Sequence, residues 1–136
     1  MNTHAIAHRY FEDVWNKGDL NAIDELVAAD ALGHASGLTL QGTNVLRQRV
    51  TTTRAAYRDM RFTIEDIFSE GEKALVRWSF SGTHTGEYMG YAGTGRTVNI
   101  SGMNVFRIVN GKIVEMWTNG DDLGELQQLG LIPMLS

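Results

Sequence analysis

Residues 97–119, TVNISGMNVFRIVNGKIVEMWTN, read as two β-strands around one tight turn. Asn110-Gly111 is the dipeptide that a two-residue type I′ turn favours, because both central positions need positive φ. Residues 97–109 and 112–119 are therefore predicted to pair antiparallel. Side chains alternate along a strand, so Gly102, Asn104, Phe106 and Ile108 share one side of the first arm. In the second arm Ile113, Trp117 and Asn119 share one side, and Asp121 has the same parity if the strand stays regular to its end. A carboxylate then stands at the lip of an aromatic wall.

Outward from this hairpin the same period of two continues upstream. Ala74, Val76, Trp78, Phe80, Gly82 and His84 fall on one side of a strand over residues 73–85, and a Glu70-Gly71 turn links it to Phe62 and Ile64, which alternate with Thr63 and Glu65. Before Asp59 the period is helical. Ile6, Tyr10, Phe11 and Val14 form an amphipathic stripe that Gly18 ends, and Asp19 is placed to cap a second helix carrying Leu20, Ile23, Leu26 and Val27. Residues 31–34 read as a brief strand. Thr43, after Gly42, can cap a third helix in which Val45, Leu46, Arg49, Val50, Thr53 and Tyr57 follow helical spacing. Residues 121–130, with Leu123, Leu126 and Leu129, read as a closing helix with Gly130 as its stop. Helices followed by a meandering sheet must bury one sheet face against those helices, which defines an α+β domain. No linker or repeat divides residues 1–136, so a single domain is expected.

A chain of 136 residues can withdraw roughly two thirds of its unfolded surface from water and needs no staples. Cysteine is absent, which removes disulfides, thiolate metal sites and thiol nucleophiles. A formal charge of -4 and scattered arginines argue against nucleic acid as a partner. No apolar run approaches the roughly 20 residues of a membrane helix, and the first residues lack the pattern of a secretory signal, so a cytoplasmic protein is expected.

The pattern Asn16-Lys17-Gly18-Asp19-Leu20, Gly42 opening a helix, Gly82-Thr83-His84-Thr85-Gly86-Glu87, Gly95-Arg96, Arg107 to Ile113 around Asn110-Gly111, and Trp117 to Gly130 with Asp121 and Gln128-Leu129-Gly130 resembles the SnoaL-like polyketide cyclases. The resemblance covers nearly the whole chain. It implies the cone-shaped α+β barrel shared with nuclear transport factor 2, ketosteroid isomerase and limonene epoxide hydrolase, with three N-terminal helices packed on a curved, mainly antiparallel sheet. It places Asp121 on the acid/base Asp of the antibiotic cyclases and His84 on a recurrent pocket-rim His. His34 falls in a slot that often holds a His or another polar pocket residue. Where those cyclases carry Gln and His two residues apart, this sequence has Gly102 and Asn104. A neutral amide can donate a hydrogen bond to an oxyanion but cannot take up a proton as imidazole can.

From the residues alone Asp121 can either cap the last helix or act as a base whose pKa an apolar wall raises; the resemblance favours the second. Asp122 has the opposite parity and could take the cap. Trp78, Phe80, Phe106 and Trp117 are core or substrate cradle. Asn104 and Asn119 are amides on apolar inward faces that need partners. His34, His84 and Asp121 lack the close spacing of a metal set, so neither metal nor cofactor is expected. The expected function is a cofactor-free lyase or isomerase acting on a small carbonyl-bearing hydrophobic substrate. Asp121 removes a proton from an activated carbon, while Asn104, with His84 or His34, holds the enolate oxygen. Two alternatives stand beside it: an epoxide-opening hydrolase or cyclase, which in this fold uses two Asp bridged by an Arg, and a binding or assembly module without catalysis. The opposite sheet face, with Leu75, Ser79 and Thr83 on one strand and Met103, Val105 and Val109 on the next, is apolar enough to predict a homodimer.

Overall fold

The computed structural model describes residues 2–134. In chain order the elements are helix α1 (Thr3–Arg9), which runs on as a π-helical segment (Tyr10–Asn16), α2 (Leu20–Leu26), β1 (Val27–Ala35), β2 (Leu38–Gln41), α3 (Thr43–Ala56), β3 (Arg61–Glu70), β4 (Lys73–Thr83), β5 (Thr97–Val109), β6 (Lys112–Gly120) and α4 (Asp122–Gln128). The six strands form one sheet in the order β2-β1-β6-β5-β4-β3. Every pairing is antiparallel except β1 with β6. This is the curved, mixed α+β sheet that the resemblance implies, open at its edges rather than closed. Among the described residues no helix is long and apolar enough to cross a membrane.

The helices bury the concave face. Ile6, Tyr10, Phe11 and Val14 are all within the core, as their spacing predicts. The turn after the first helix widens to i→i+5 bonding, which brings residues five apart over one another; Tyr10 and Trp15 thus share the cavity side. Two side chains lock this segment down. Asn16 behaves as one more strand partner to β3, its Oδ1 accepting from the Phe62 N–H at 2.7 Å and its Nδ2 donating to the Phe62 carbonyl at 2.9 Å. Arg54 of α3 donates to the Trp15 and Asn16 carbonyls at the segment's end, at 2.7 and 2.6 Å. Gly18 is required beside it: φ is +69°, and a Cβ there would lie 2.5 Å from the guanidinium.

Asp19 caps α2 as expected, accepting from the Asn21 and Ala22 N–H groups. Gly42, not Thr43, is the N-cap of α3. β1 is a nine-residue strand rather than a brief one, and β2, which the sequence pattern did not suggest, is its edge partner.

On β4 and β5 the alternation holds. Ala74, Val76, Trp78, Phe80 and Gly82 face the core opposite Phe106, Asn104, Gly102, Ile100 and Val98. β6 departs from it. Arg107 pairs with Glu115, but the next residue, Ile108, pairs with Ile113, so Val114 is an extra residue in a bulge. One inserted residue reverses every later side chain. Ile113 faces inward, but beyond it Met116, Thr118 and Gly120 are the inward set, while Trp117 and Asn119 point to the convex face. The expected parity of Trp117, Asn119 and Asp121 with Ile113 is therefore corrected.

Trp78 and Trp117 now occupy unlike places. Trp78 is 5% exposed among Phe11 and Phe62, whereas Trp117 is half-buried and stacks on His34 on the outer face. Trp78→Ala is expected to lower stability by about 3–5 kcal/mol and Trp117→Ala by clearly less. Denaturant midpoints read the difference, and equal losses would show that the bulge assignment is wrong.

Candidate functional site

The concave face, the π-helical segment and α3 enclose a cavity of about 190 Å³. A buried water needs ~15 Å³ of such space, so the cavity has room for a ligand of roughly ten to fifteen heavy atoms. Its walls are Tyr10, Phe11 and Trp15 from the N-terminal segment, Val45, Leu46, Arg49 and Thr53 from α3, Phe62, Trp78, Phe80 and Ile100 from the sheet, and Tyr88 from the loop between β4 and β5. Met116, Thr118 and Gly120 close the β6 side, followed by Asp122 and Glu125 of α4.

Each polar group has a structural reason for its place. Trp78 donates its indole N–H to Asn104 Oδ1 at 3.0 Å. That bond orients the amide, leaving Nδ2 as a donor without a partner among the described residues. Tyr10 donates to the Met116 sulfur at 3.4 Å, and burial pushes its phenol up to about 12. Tyr57, at the end of α3, donates to Glu125 Oε2 at 2.7 Å. Glu125 is 8% exposed, and its carboxyl is raised above the ordinary range, first by burial, with Tyr57's hydrogen bond opposing and the Asp122 charge adding. Burial and the adjacent Glu125 raise Tyr57 far more, so it stays a donor. At the rim, Ser36 donates to Asp122 Oδ2 at 2.6 Å.

The sequence-predicted residues divide accordingly. Asn104, Trp78 and Phe80 line the cavity. Phe106 is fully buried behind it, in edge contact with Tyr10. Asp121 does not line it: it is the exposed N-cap of α4, accepting from the Gly124 N–H at 2.9 Å. The two neighbouring aspartates thus exchange their expected places, Asp121 capping and Asp122 reaching the cavity, because the bulge shifts the approach to α4. Asn119 and Trp117 lie in a shallow outer groove. The His34 ring is on that outer side as well. His34 Nε2 lies 2.7 Å from Glu115 and Nδ1 3.2 Å from Thr39, and the Glu115 carboxyl is held low by His34 first and Arg107 next.

His84 is fully buried under the β4–β5 loop, outside the cavity lining. Its Nδ1 accepts from the Thr94 N–H at 3.2 Å, and its buried Nε2 has no partner among the described residues. Three separate locations for His34, His84 and Asp121 leave no common set; among the described residues no group of three or more His, Asp or Glu is arranged to hold a metal.

Glu125, Tyr88 and Arg49 are cavity residues that the sequence reading did not single out as site residues, and neither was Tyr57, which is buried behind Glu125. Glu125 had a signal: it lies four residues before the buried Leu129, so the inward stripe of α4 contains an acid.

An acid on the inward stripe of the last helix, an amide on β5 and aromatic walls define a small-molecule pocket in a cone-like α+β domain. Residues 5–129 match the SnoaL-like polyketide cyclase family, and the chain belongs to it. Among solved structures, the chain is similar to IdmH, a candidate polyketide cyclase from Streptomyces antibioticus, at 31% identity over 96% of this chain and 99% of that one, with a TM-score of 0.83. A candidate polyketide cyclase from Acidithiobacillus ferrooxidans is 28% identical over 93% of each chain, with a TM-score of 0.81. TsrD from Streptomyces laurentii superposes with a TM-score of 0.86 at 23% identity, covering 97% and 99% of the two chains, a likeness of fold. A search of curated proteins by sequence finds no match.

Because the folded chain holds the Glu125 proton more tightly than the unfolded chain does, stability is lost as pH rises from the unfolded carboxyl's range, about 4.3, through the raised folded value. Glu125→Gln keeps an acceptor for Tyr57 and removes that loss. The variant is expected to unfold at higher denaturant than the wild type at about pH 7, with the gap closing towards about pH 4. A variant no more stable than wild type at the higher pH would contradict the burial assigned to this carboxyl.

Proposed function

We propose that the protein is a cofactor-independent cyclase or isomerase that moves a proton on a small, apolar, carbonyl-bearing substrate, with Glu125 as its acid/base. The observation that carries this reading is a carboxyl at once buried, raised in pKa and open to a largely apolar, aromatic-rich cavity. A base tuned upwards is a stronger proton acceptor at neutral pH, and the ideal catalytic pKa lies near the working pH. The carboxylate takes a proton from carbon next to a carbonyl, the enolate oxygen accepts from the free Asn104 Nδ2, and the proton held on Glu125 is then returned elsewhere on the product. Tyr57 holds the carboxyl in place. Asp121, solvated and committed to the helix cap, has no part in this scheme, and neither has His84. Epoxide opening would call for an Arg between two carboxylates, and Arg49 makes no ion pair with Asp122 or Glu125 among the described residues.

Exchange of the acidic protons of 2-tetralone in D2O, followed by NMR, tests the assignment without knowledge of the natural substrate. Wild type is expected to accelerate exchange, Glu125→Gln to lose at least about 10²-fold of it, and Asp121→Asn to retain it. Loss in Asp121→Asn with retention in Glu125→Gln would return the role to Asp121.

Assembly as a homodimer belongs to the same proposal. Phe68, Leu75, Val105 and Trp117 form one row across the convex face through consecutive strand pairings, and Phe68 is 64% exposed. A second copy covers such a row. Sedimentation equilibrium at micromolar concentration is expected to give twice the 15.1 kDa chain mass, with Val105→Lys returning it to one; a wild-type monomer would refute the dimer.

A further inference from the structure

Arg49 is a charge on an apolar stripe. It shares the cavity-facing side of α3 with Val45, Leu46 and Thr53, at spacings of four, three and four residues, where an amphipathic helix would carry another apolar or small side chain. Among the described residues it is the one Arg or Lys in the cavity lining, which otherwise holds only His34 as a basic residue, its ring turned outward. Among the described residues it makes neither a hydrogen bond nor an ion pair, although two carboxylates, Asp122 and Glu125, line the same cavity. Both of these are otherwise engaged on the α4 side, Asp122 by the Ser36 hydroxyl and Glu125 by the Tyr57 hydroxyl. Arg49 is exposed rather than buried and stands at the mouth. Its positive field reaches the phenols of Tyr10 and Tyr88, opposing the rise that burial causes in each. A guanidinium and phenols lining one cavity, with the aromatic rings of Trp78, Phe62 and Phe80 in the same wall, are matched by an anionic oxygen on a ring.

We propose that Arg49, with the Tyr88 hydroxyl on the lining of the same cavity, recognises a carboxylate on an otherwise apolar ring substrate. This deepens the proposed function, resting on the same cavity, and makes the substrate class a cyclic or aromatic oxo acid rather than a neutral ketone. The planar fork of Arg49 pairs with both carboxylate oxygens, and the apolar rings lie against Trp78, Phe62 and Phe80. Asp122 and Glu125 repel a misplaced carboxylate, so the acid is held with its charged end at α3 and its carbonyl end towards Glu125.

Calorimetric titration of the full chain with 2-naphthoate and with its neutral isostere 2-naphthamide tests the inference. Wild type is expected to bind the acid at least about tenfold more tightly than the amide. Arg49→Met is expected to abolish that preference while leaving amide affinity within about twofold, and Arg49→Lys to keep part of it. Equal affinities in wild type, a preference for the amide, a preference that survives in Arg49→Met, or binding of neither probe would overturn the anion site. The 2-tetralone exchange uses a neutral ketone and reports on Glu125 separately, so an intact exchange rate with no preference for the acid would remove Arg49's role alone.

Discussion

The indole of Trp78 lies across the sheet rather than along its own strand, and much of the concave face is arranged to allow this. Trp78 pairs with Gly102 on β5, and Gly102 pairs with Gly120 on β6. A Cβ on Gly102 would come within 2.3 Å of the indole, and one on Gly120 within 3.3 Å. Two adjacent glycines thus open a slot in which one large ring spans three strands. The ring's N–H then meets Asn104, and its faces and edges receive Phe11 from the helical layer and Phe62 from β3. One residue joins the helices, the sheet and the polar group of the cavity floor.

What surrounds this slot is held by backbone contacts rather than by greasy packing alone. Arg54 ties α3 to the end of the π-helical segment, and Asn16 ties that segment to the Phe62 backbone. The cavity therefore sits between two surfaces fixed relative to one another, the condition under which polar groups can be pre-organised at small entropic cost. On the other side, Tyr57 rests directly over Gly82, where a Cβ would meet its ring at 3.0 Å, and reaches out to Glu125. α4 is short, and a buried hydrogen bond ties it to Tyr57, the residue that caps the end of α3.

Much of this could be read before the structure was seen. The Asn110-Gly111 hairpin, the alternation on β4 and β5 and the stripe of the first helix follow from periods of two and near four, and each depends only on local residues. The β6 side chains were not readable in that way. Ile113, Val114, Glu115, Met116 and Trp117 contain apolar residues on both parities, so the sequence tolerates either register, and a one-residue bulge decides between them. From that single residue follow the outward Trp117 and Asn119 and the exchange of roles between Asp121 and Asp122. β2 was missed because Leu38 to Gln41 is an exposed edge with no buried face to impose a period. Glu125 and Arg49 were passed over for a shared reason: each is a charged residue embedded in a helical stripe whose other members are apolar or small, and pattern reading attends to the apolar members of such a stripe.

Gly102 and Asn104, at the two positions where the resemblance implies Gln and His, are best understood as one coupled choice. A long polar side chain at position 102 would occupy the space of the Trp78 ring, which its first carbon atom already violates. With the ring in that slot, its indole N–H requires an acceptor, and position 104 faces it from the neighbouring strand. The Asn carbonyl satisfies that donor and keeps an N–H2 group for the cavity, whereas an imidazole accepting from the indole would hold its remaining proton in a fixed tautomer. A pocket built this way has no proton carrier on β5. Among the described residues the titratable groups in its lining are the tyrosines, Asp122, Arg49, Glu125 and His34, whose ring turns outward. Of the two carboxyls, Glu125 alone is withdrawn from water and anchored by a phenol that burial keeps protonated. With the bulky aromatic on the floor of the cavity, the buried carboxyl that the proposed function calls on lies on the last helix rather than on the sheet.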